Sequence, residues 1–129
     1  MIYRTRKANK YGAQRTETLG RTFDSKFEAS VAEELELRKK GKDIKDYDCQ
    51  FRVEIPIHRP DGELAFKVSH KVDFRVHEND GSYTLIEAKG FETPDFRWRK
   101  RLLTQVWLPM NLDHEYEIVY QNKVWRYKR

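Results

Sequence analysis

Two runs of alternating apolar and polar residues, 66–77 and 82–89, flank Asn79-Asp80-Gly81. That pattern commits the chain to a β-hairpin whose register its own side chains select. With a two-residue turn at Asp80-Gly81, Val72, Phe74 and Val76 would face Lys89, Glu87 and Leu85, setting two charges against the apolar face. A three-residue loop with Gly81 at the left-handed position sets them opposite Ala88, Ile86 and Thr84 instead. The longer loop is therefore predicted. In that register Asp73 stands opposite Glu87 on the other face, with Lys89 two residues along. Opposed carboxylates repel, and a divalent cation taking carboxylate and water oxygens would relieve them. The competing reading is a surface ion cluster in which Lys89 bridges both acids without a metal.

The rest of the chain supplies the setting. At 129 residues it fits one domain with one core. Residues 1–21 are polar and basic without a period and read as a flexible arm, leaving 22–129 as the domain. A helix is expected from Asp24 or Ser25 to Lys40, with Phe27, Val31 and Leu35 as its buried stripe and Gly41 as its stop. Strands are expected over 51–57, 66–77 and 82–89. Thr93-Pro94 then starts a helix ending near Leu108, and 115–120 with 123–127 form a terminal hairpin.

Charged residues make up 36% of the chain, yet aromatic residues make up 13%, which argues for a packed core over disorder. The net charge of +5 and pI of about 9.3 favour an anionic partner, nucleic acid ahead of an acidic membrane. Cys49 is the only cysteine, which excludes an intramolecular disulfide and a thiolate zinc site. His58, His70, His77 and His114 show no zinc spacing. No apolar run has membrane-spanning length and no signal peptide is evident, so a soluble cytoplasmic protein with no membrane partner is expected.

Several residues carry two readings. Ser25-Lys26-Phe27-Glu28 fits a capping box, in which Glu28 folds back on the helix start. Arg97 and Arg101 share one helix face. With Lys100 they are candidates for phosphate contact, the alternative being a solvated basic face. Trp98 fits either a base-stacking platform or a lid on the core.

The ordered set resembles the PD-(D/E)XK nuclease superfamily. It comprises a helix bearing an acid, Val72-Asp73, a short hairpin, Glu87-Ala88-Lys89-Gly90 and a second helix. Phe23-Asp24-Ser25-Lys26-Phe27-Glu28-Ala29, Cys49-Gln50-Phe51 and Lys89-Gly90 look more closely like a family of small phage-borne proteins assigned to that superfamily. The resemblance covers about residues 10 to 110; Val72 stands where the superfamily's name places proline. It implies an α/β (α+β), restriction-endonuclease-like fold, with a mixed central sheet flanked by helices. It also implies that Asp73 and Glu87 hold one or two Mg2+ or Mn2+ ions, with the Ala88 carbonyl as a further ligand. Glu28 would reach the metal directly or through water, and Lys89 would orient the attacking water. The implied function is Mg2+-dependent DNA endonuclease, phage or mobile-element encoded. The alternative is a non-catalytic nucleic-acid-binding relative, and cutting both strands would require a homodimer.

Overall fold

The computed structural model describes residues 15–129. Of the basic arm expected over 1–21, residues 1–14, which include Arg4, Arg6, Lys7 and Lys10, lie outside the described residues. The remainder is not an irregular tail. β1 (Thr16–Thr18) and β2 (Arg21–Phe23) pair antiparallel, with Leu19 and Gly20 both at positive φ in the turn.

Helix α1 (Lys26–Lys40) follows, with Ser25 as its N-cap and basic residues in its last turn. Val31 and Leu35 are buried as expected, joined by Ala29, Ala32 and Glu28. Next come β3 (Asp46–His58), β4 (Leu64–His77), β5 (Tyr83–Ala88), helix α2 (Pro94–Leu102), β6 (His114–Val119) and β7 (Val124–Arg126). The last five strands form one mixed sheet in the order β3-β4-β5-β6-β7, in which only β5 and β6 run parallel. The parallel pair is what requires the α2 crossover, because a hairpin cannot join parallel strands. The architecture is α+β, a mixed sheet flanked by helices.

The β4–β5 register is that of the longer loop: Phe74 faces Ile86 and Val76 faces Thr84. Glu78 and Ser82 close the turn, and Gly81 takes φ +90. β3 is longer than its apolar alternation suggested, because pairing with β4 draws in Asp46 to Cys49. Pro56 lies on an edge strand, the place in a sheet where proline is tolerated because an N–H there can face away from the ladder. The second helix spans the expected stretch but does not stay α-helical. After Leu102 the backbone widens into a π-helical stretch, Leu103–Trp107, then a 3-10 turn, Leu108–Met110. The Thr104 hydroxyl donates to the Lys100 carbonyl at 3.0 Å, and the wider turn places Leu103, Trp107 and Leu108 in the core.

Both faces of the sheet are covered. One face packs α1 through Ala29, Val31, Ala32 and Leu35 onto Phe74, Val76 and Ile86. The other packs α2 and its extension through Phe96, Leu103 and Trp107 onto Val53, Val72, Leu85 and Tyr116. Val72, Phe74 and Val76 therefore do not share one core face as the hairpin pattern suggested. A two-sided core removes the reason for them to do so. Among the described residues no helix is long and apolar enough to cross a membrane.

Candidate active site

The backbone becomes irregular where β3 and β4 switch faces. Cys49 pairs with Phe74 and Phe51 pairs with Val72, but no rung joins Gln50 to Asp73. Cys49 and Phe74 pack with the α1 cluster, whereas Phe51 and Val72 pack with the α2 cluster. Gln50 has φ +59, a left-handed conformation rare for a residue with a side chain. The break frees both side chains from the ladder. Gln50 Nε2 donates to Glu28 Oε1 at 2.8 Å, and Asp73 Oδ2 accepts the Ala88 N–H at 2.8 Å.

The strain at Gln50 can be measured. A left-handed residue costs roughly 1–2 kcal/mol unless it is glycine, while one hydrogen bond contributes about 1 kcal/mol. Gln50→Gly loses the bond but relieves the strain; Gln50→Ala loses the bond and keeps the strain. Thermal melts should place Gln50→Ala below Gln50→Gly by about 1 kcal/mol, the reverse of the usual strand preference. The opposite order would show that the left-handed backbone carries no strain.

Asp73, Glu28 and Lys89 meet at this break. Burial and then the Glu28 charge push the Asp73 carboxyl from its ordinary 3.8 up to about 8, with Glu87 adding less; the Ala88 N–H and Lys89 oppose the rise. Glu28 is 5% exposed. Its carboxyl is also raised, first by burial and then by Asp24, against the Asp24 backbone, Gln50 and Lys89. The capping reading holds for half of the box: Ser25 Oγ accepts the Glu28 N–H at 3.0 Å. Lys89 continues β5 by donating its N–H to the Val119 carbonyl at 2.9 Å. Its Nζ lies 4.2 Å from the centroid of the Phe96 ring.

Glu87 is placed differently from the opposed pair the register suggested. The β4–β5 ladder ends at Phe74–Ile86, one rung short, and the acid charge that weighs most on Asp73 is Glu28. Val72 does not pair with Ala88, whose N–H is taken by Asp73. Glu87 is 1% exposed and lies among the α2-side core. His70 Nε2 lies 3.0 Å from its Oε1, and the Tyr116 hydroxyl donates to its Oε2. Burial and the Glu87 charge push the Tyr116 hydroxyl far above its ordinary value, which keeps it a donor. Among the described residues no three His, Cys, Asp or Glu side chains stand close enough to hold a metal ion as arranged. Each Glu87 oxygen retains a second lone pair, and the Glu28 charge that pushes the Asp73 carboxyl up is one that a cation beside both would offset.

The basic helix divides. Lys100 is held by Glu92 at 3.5 Å and lies over the Trp125 ring at 4.2 Å, so it serves packing. Arg97 is exposed, with one 3.4 Å bond to the Glu92 carbonyl. Arg101 is exposed with no partner among the described residues. Trp98 is 57% exposed and is no lid on the core.

Sequence reasoning missed three features. His70 sits in the apolar phase of β4 with Val68 and Val72, and Tyr116 in that of β6 with Ile118; a polar residue in a buried phase was the available signal. Arg52 and Lys71 face each other across the β3–β4 ladder, both exposed and without partners among the described residues. Only the strand pairing reveals them.

The family model described as "Protein of unknown function (DUF1064)" matches residues 8–123. Among solved structures, the chain is similar to a "Crystal structure of SSO0001" at a TM-score of 0.43 and 15% identity. The match covers 77% of this chain and 48% of that one, so the chain spans about half that protein's length. No curated protein matches.

Proposed function

We propose that this chain, which belongs to the DUF1064 family, is a metal-dependent DNA endonuclease of the PD-(D/E)XK kind. The observation that carries the reading is the convergence of Asp73, Glu28 and Lys89 beside Ala88, at a deliberate break in the sheet. Asp73 and Glu28 are the residues that would hold Mg2+ or Mn2+, with Glu87 and the Ala88 carbonyl as further oxygen donors. A cation bound there would supply an activated water and neutralise phosphate charge. Lys89 would orient that water and offset charge gathering on the phosphate, its ammonium lying over the Phe96 ring. Arg97 and Arg101, joined by Arg52 and Lys71, contact the DNA backbone, and Trp98 offers a face for stacking. The setting is the cytoplasm of a cell hosting a phage or mobile element, and cutting both strands would bring two copies together.

One observation favours the second reading, a nucleic-acid-binding relative without catalysis: both Glu87 oxygens are already engaged in the core. Supercoiled plasmid incubated with the protein separates the two. The expected result is open circles with Mg2+ or Mn2+ and none with a chelator. Retention of plasmid and of branched DNA without a single cut under either metal would leave only the binding module.

A further inference from the structure

Beyond the break at Gln50 and Asp73, β3 and β4 leave the sheet together. β5 pairs with β4 only from the His77–Tyr83 rung to Phe74–Ile86, whereas the β3–β4 ladder runs on from Phe51–Val72 to Ile57–Phe66. At about 3.4 Å per residue, that two-stranded ribbon extends roughly 20 Å. One of its faces is apolar: Val53, Ile55 and Val72 pack into the α2-side core. Arg99 of α2 also donates to the Ser69 carbonyl, which ties the ribbon to that helix. The other face is uncovered, because the α1 cluster meets these strands at Tyr47, Cys49, Phe74 and Val76, all on the sheet side of the break. Its first rung past Asp73 sets Arg52 opposite Lys71, and Lys67 follows opposite Pro56, with Glu54 and Ser69 between. Like charges directly across a rung destabilise a ladder. Arg52, Lys67 and Lys71 are exposed and have no partner among the described residues, while Glu54 accepts from the Ser69 hydroxyl at 3.4 Å. Three unpaired cations against one acid suit an anion lying along the face.

We propose that this ribbon face seats duplex DNA leading away from the Asp73 site, with Arg52 and Lys71 sharing one phosphate and Lys67 taking another. The inference rests on the endonuclease reading and names the form of DNA that the site is served with. Spacing selects the duplex. Directly opposed side chains start roughly 5 Å apart, close enough to converge on a single phosphate. Lys67 stands roughly 13 Å from Lys71 along the strand, near the ~12 Å width of the major groove of B-DNA. Cations so spaced meet phosphates on the two rims of one groove, whereas a flexible single strand has no rims to match. Backbone contacts fix position and carry no base information, so this seat sets orientation and not sequence.

Fluorescence anisotropy of a labelled duplex and of its single strand, titrated with the full chain over a salt series in the presence of a chelator, tests this apart from cutting. Each neutralised phosphate adds about 0.9 to the slope of log affinity against log salt. Glutamine keeps a long stem and removes the charge. The duplex slope is expected to fall by about 0.9 in Arg52→Gln/Lys71→Gln and by about 1.8 when Lys67→Gln is added. Exchanging the two charges, as Arg52→Lys/Lys71→Arg, should keep it. Lys40 closes the other end of α1 and Lys45 follows it, both exposed; Lys40→Gln/Lys45→Gln should keep the slope as well. An unchanged slope in the triple variant, an equal fall in the Lys40 and Lys45 variant, or an equal fall on the single strand would each overturn the seat. Nicking by the wild type is read separately. Cutting with an unchanged slope removes the seat alone, and a lowered slope without cutting removes the endonuclease reading alone.

Discussion

Lys89→Met is expected to slow DNA nicking by about 10²–10³-fold, the range typical for removing one preorganised electrostatic contact from a transition state. DNA retention should stay within about threefold, because Lys89 is a single charge beside several exposed arginines and lysines. Methionine keeps the length and apolar body of the side chain while removing the ammonium that lies over the Phe96 ring, so the packing volume is kept and the missing charge is isolated. Initial rates of plasmid nicking, with retention measured in parallel by gel shift, check it. A nicking rate equal to wild type would remove Lys89 from the chemistry. Loss of binding in step with cleavage would make it a DNA contact instead.

Asp73→Asn is expected to stabilise the metal-free protein at alkaline pH, by about 2–3 kcal/mol and roughly 10 °C in melting temperature. The sign follows from the raised carboxyl. In the folded chain Asp73 holds its proton up to about pH 8, whereas its ordinary value is 3.8. Between those values the native state binds more protons than the unfolded one. Stability from this group is therefore fully present below about pH 4 and falls as pH rises towards 8. Each pH unit in that window is worth at most about 1.4 kcal/mol, and relaxation around a part-buried group reduces the total. Asparagine carries no charge, and its Oδ1 can still accept the Ala88 N–H. Its advantage should grow from pH 4 to 8 and then level off. Added Mn2+ should raise the melting temperature of the wild type and leave that of Asp73→Asn nearly unchanged. An advantage for asparagine that does not depend on pH would mean that the Asp73 carboxyl is not raised. A functional side chain that lowers stability in the unloaded state is the expected signature of a site built for a ligand.

The local features of this chain were legible because each depends on neighbours in sequence. Ser25 and Thr93 cap their helices, Gly81 takes the left-handed turn position, and the Asn79-Asp80-Gly81 loop sets Phe74 against Ile86. The mixed sheet between helices was implied by the family resemblance, and the structure has it. The pattern also led to the neighbourhood of Asp73, Glu87 and Lys89, since hairpin register brings Asp73 and the 87–89 segment together; Glu28 entered only through the family resemblance. The pattern misjudged how the acids sort themselves. Strand alternation assumes a regular ladder, and the ladder is interrupted between Gln50 and Asp73.

What the sequence determined alone was the hairpin, its loop and the chemistry present on it, because turn geometry and side-chain period act over a few residues. Tertiary packing decided the rest. Helices on both faces of the sheet made Val72 and Phe74 part company, pulled Glu87 into the core between His70 and Tyr116, and set Glu28 of α1 beside Asp73. It also diverted Lys100 from the solvent to Glu92 and Trp125. The physical reason is that burial and pairing between distant strands override local preference: a charge is directed by whichever partner can satisfy it, and those partners lie far away in sequence.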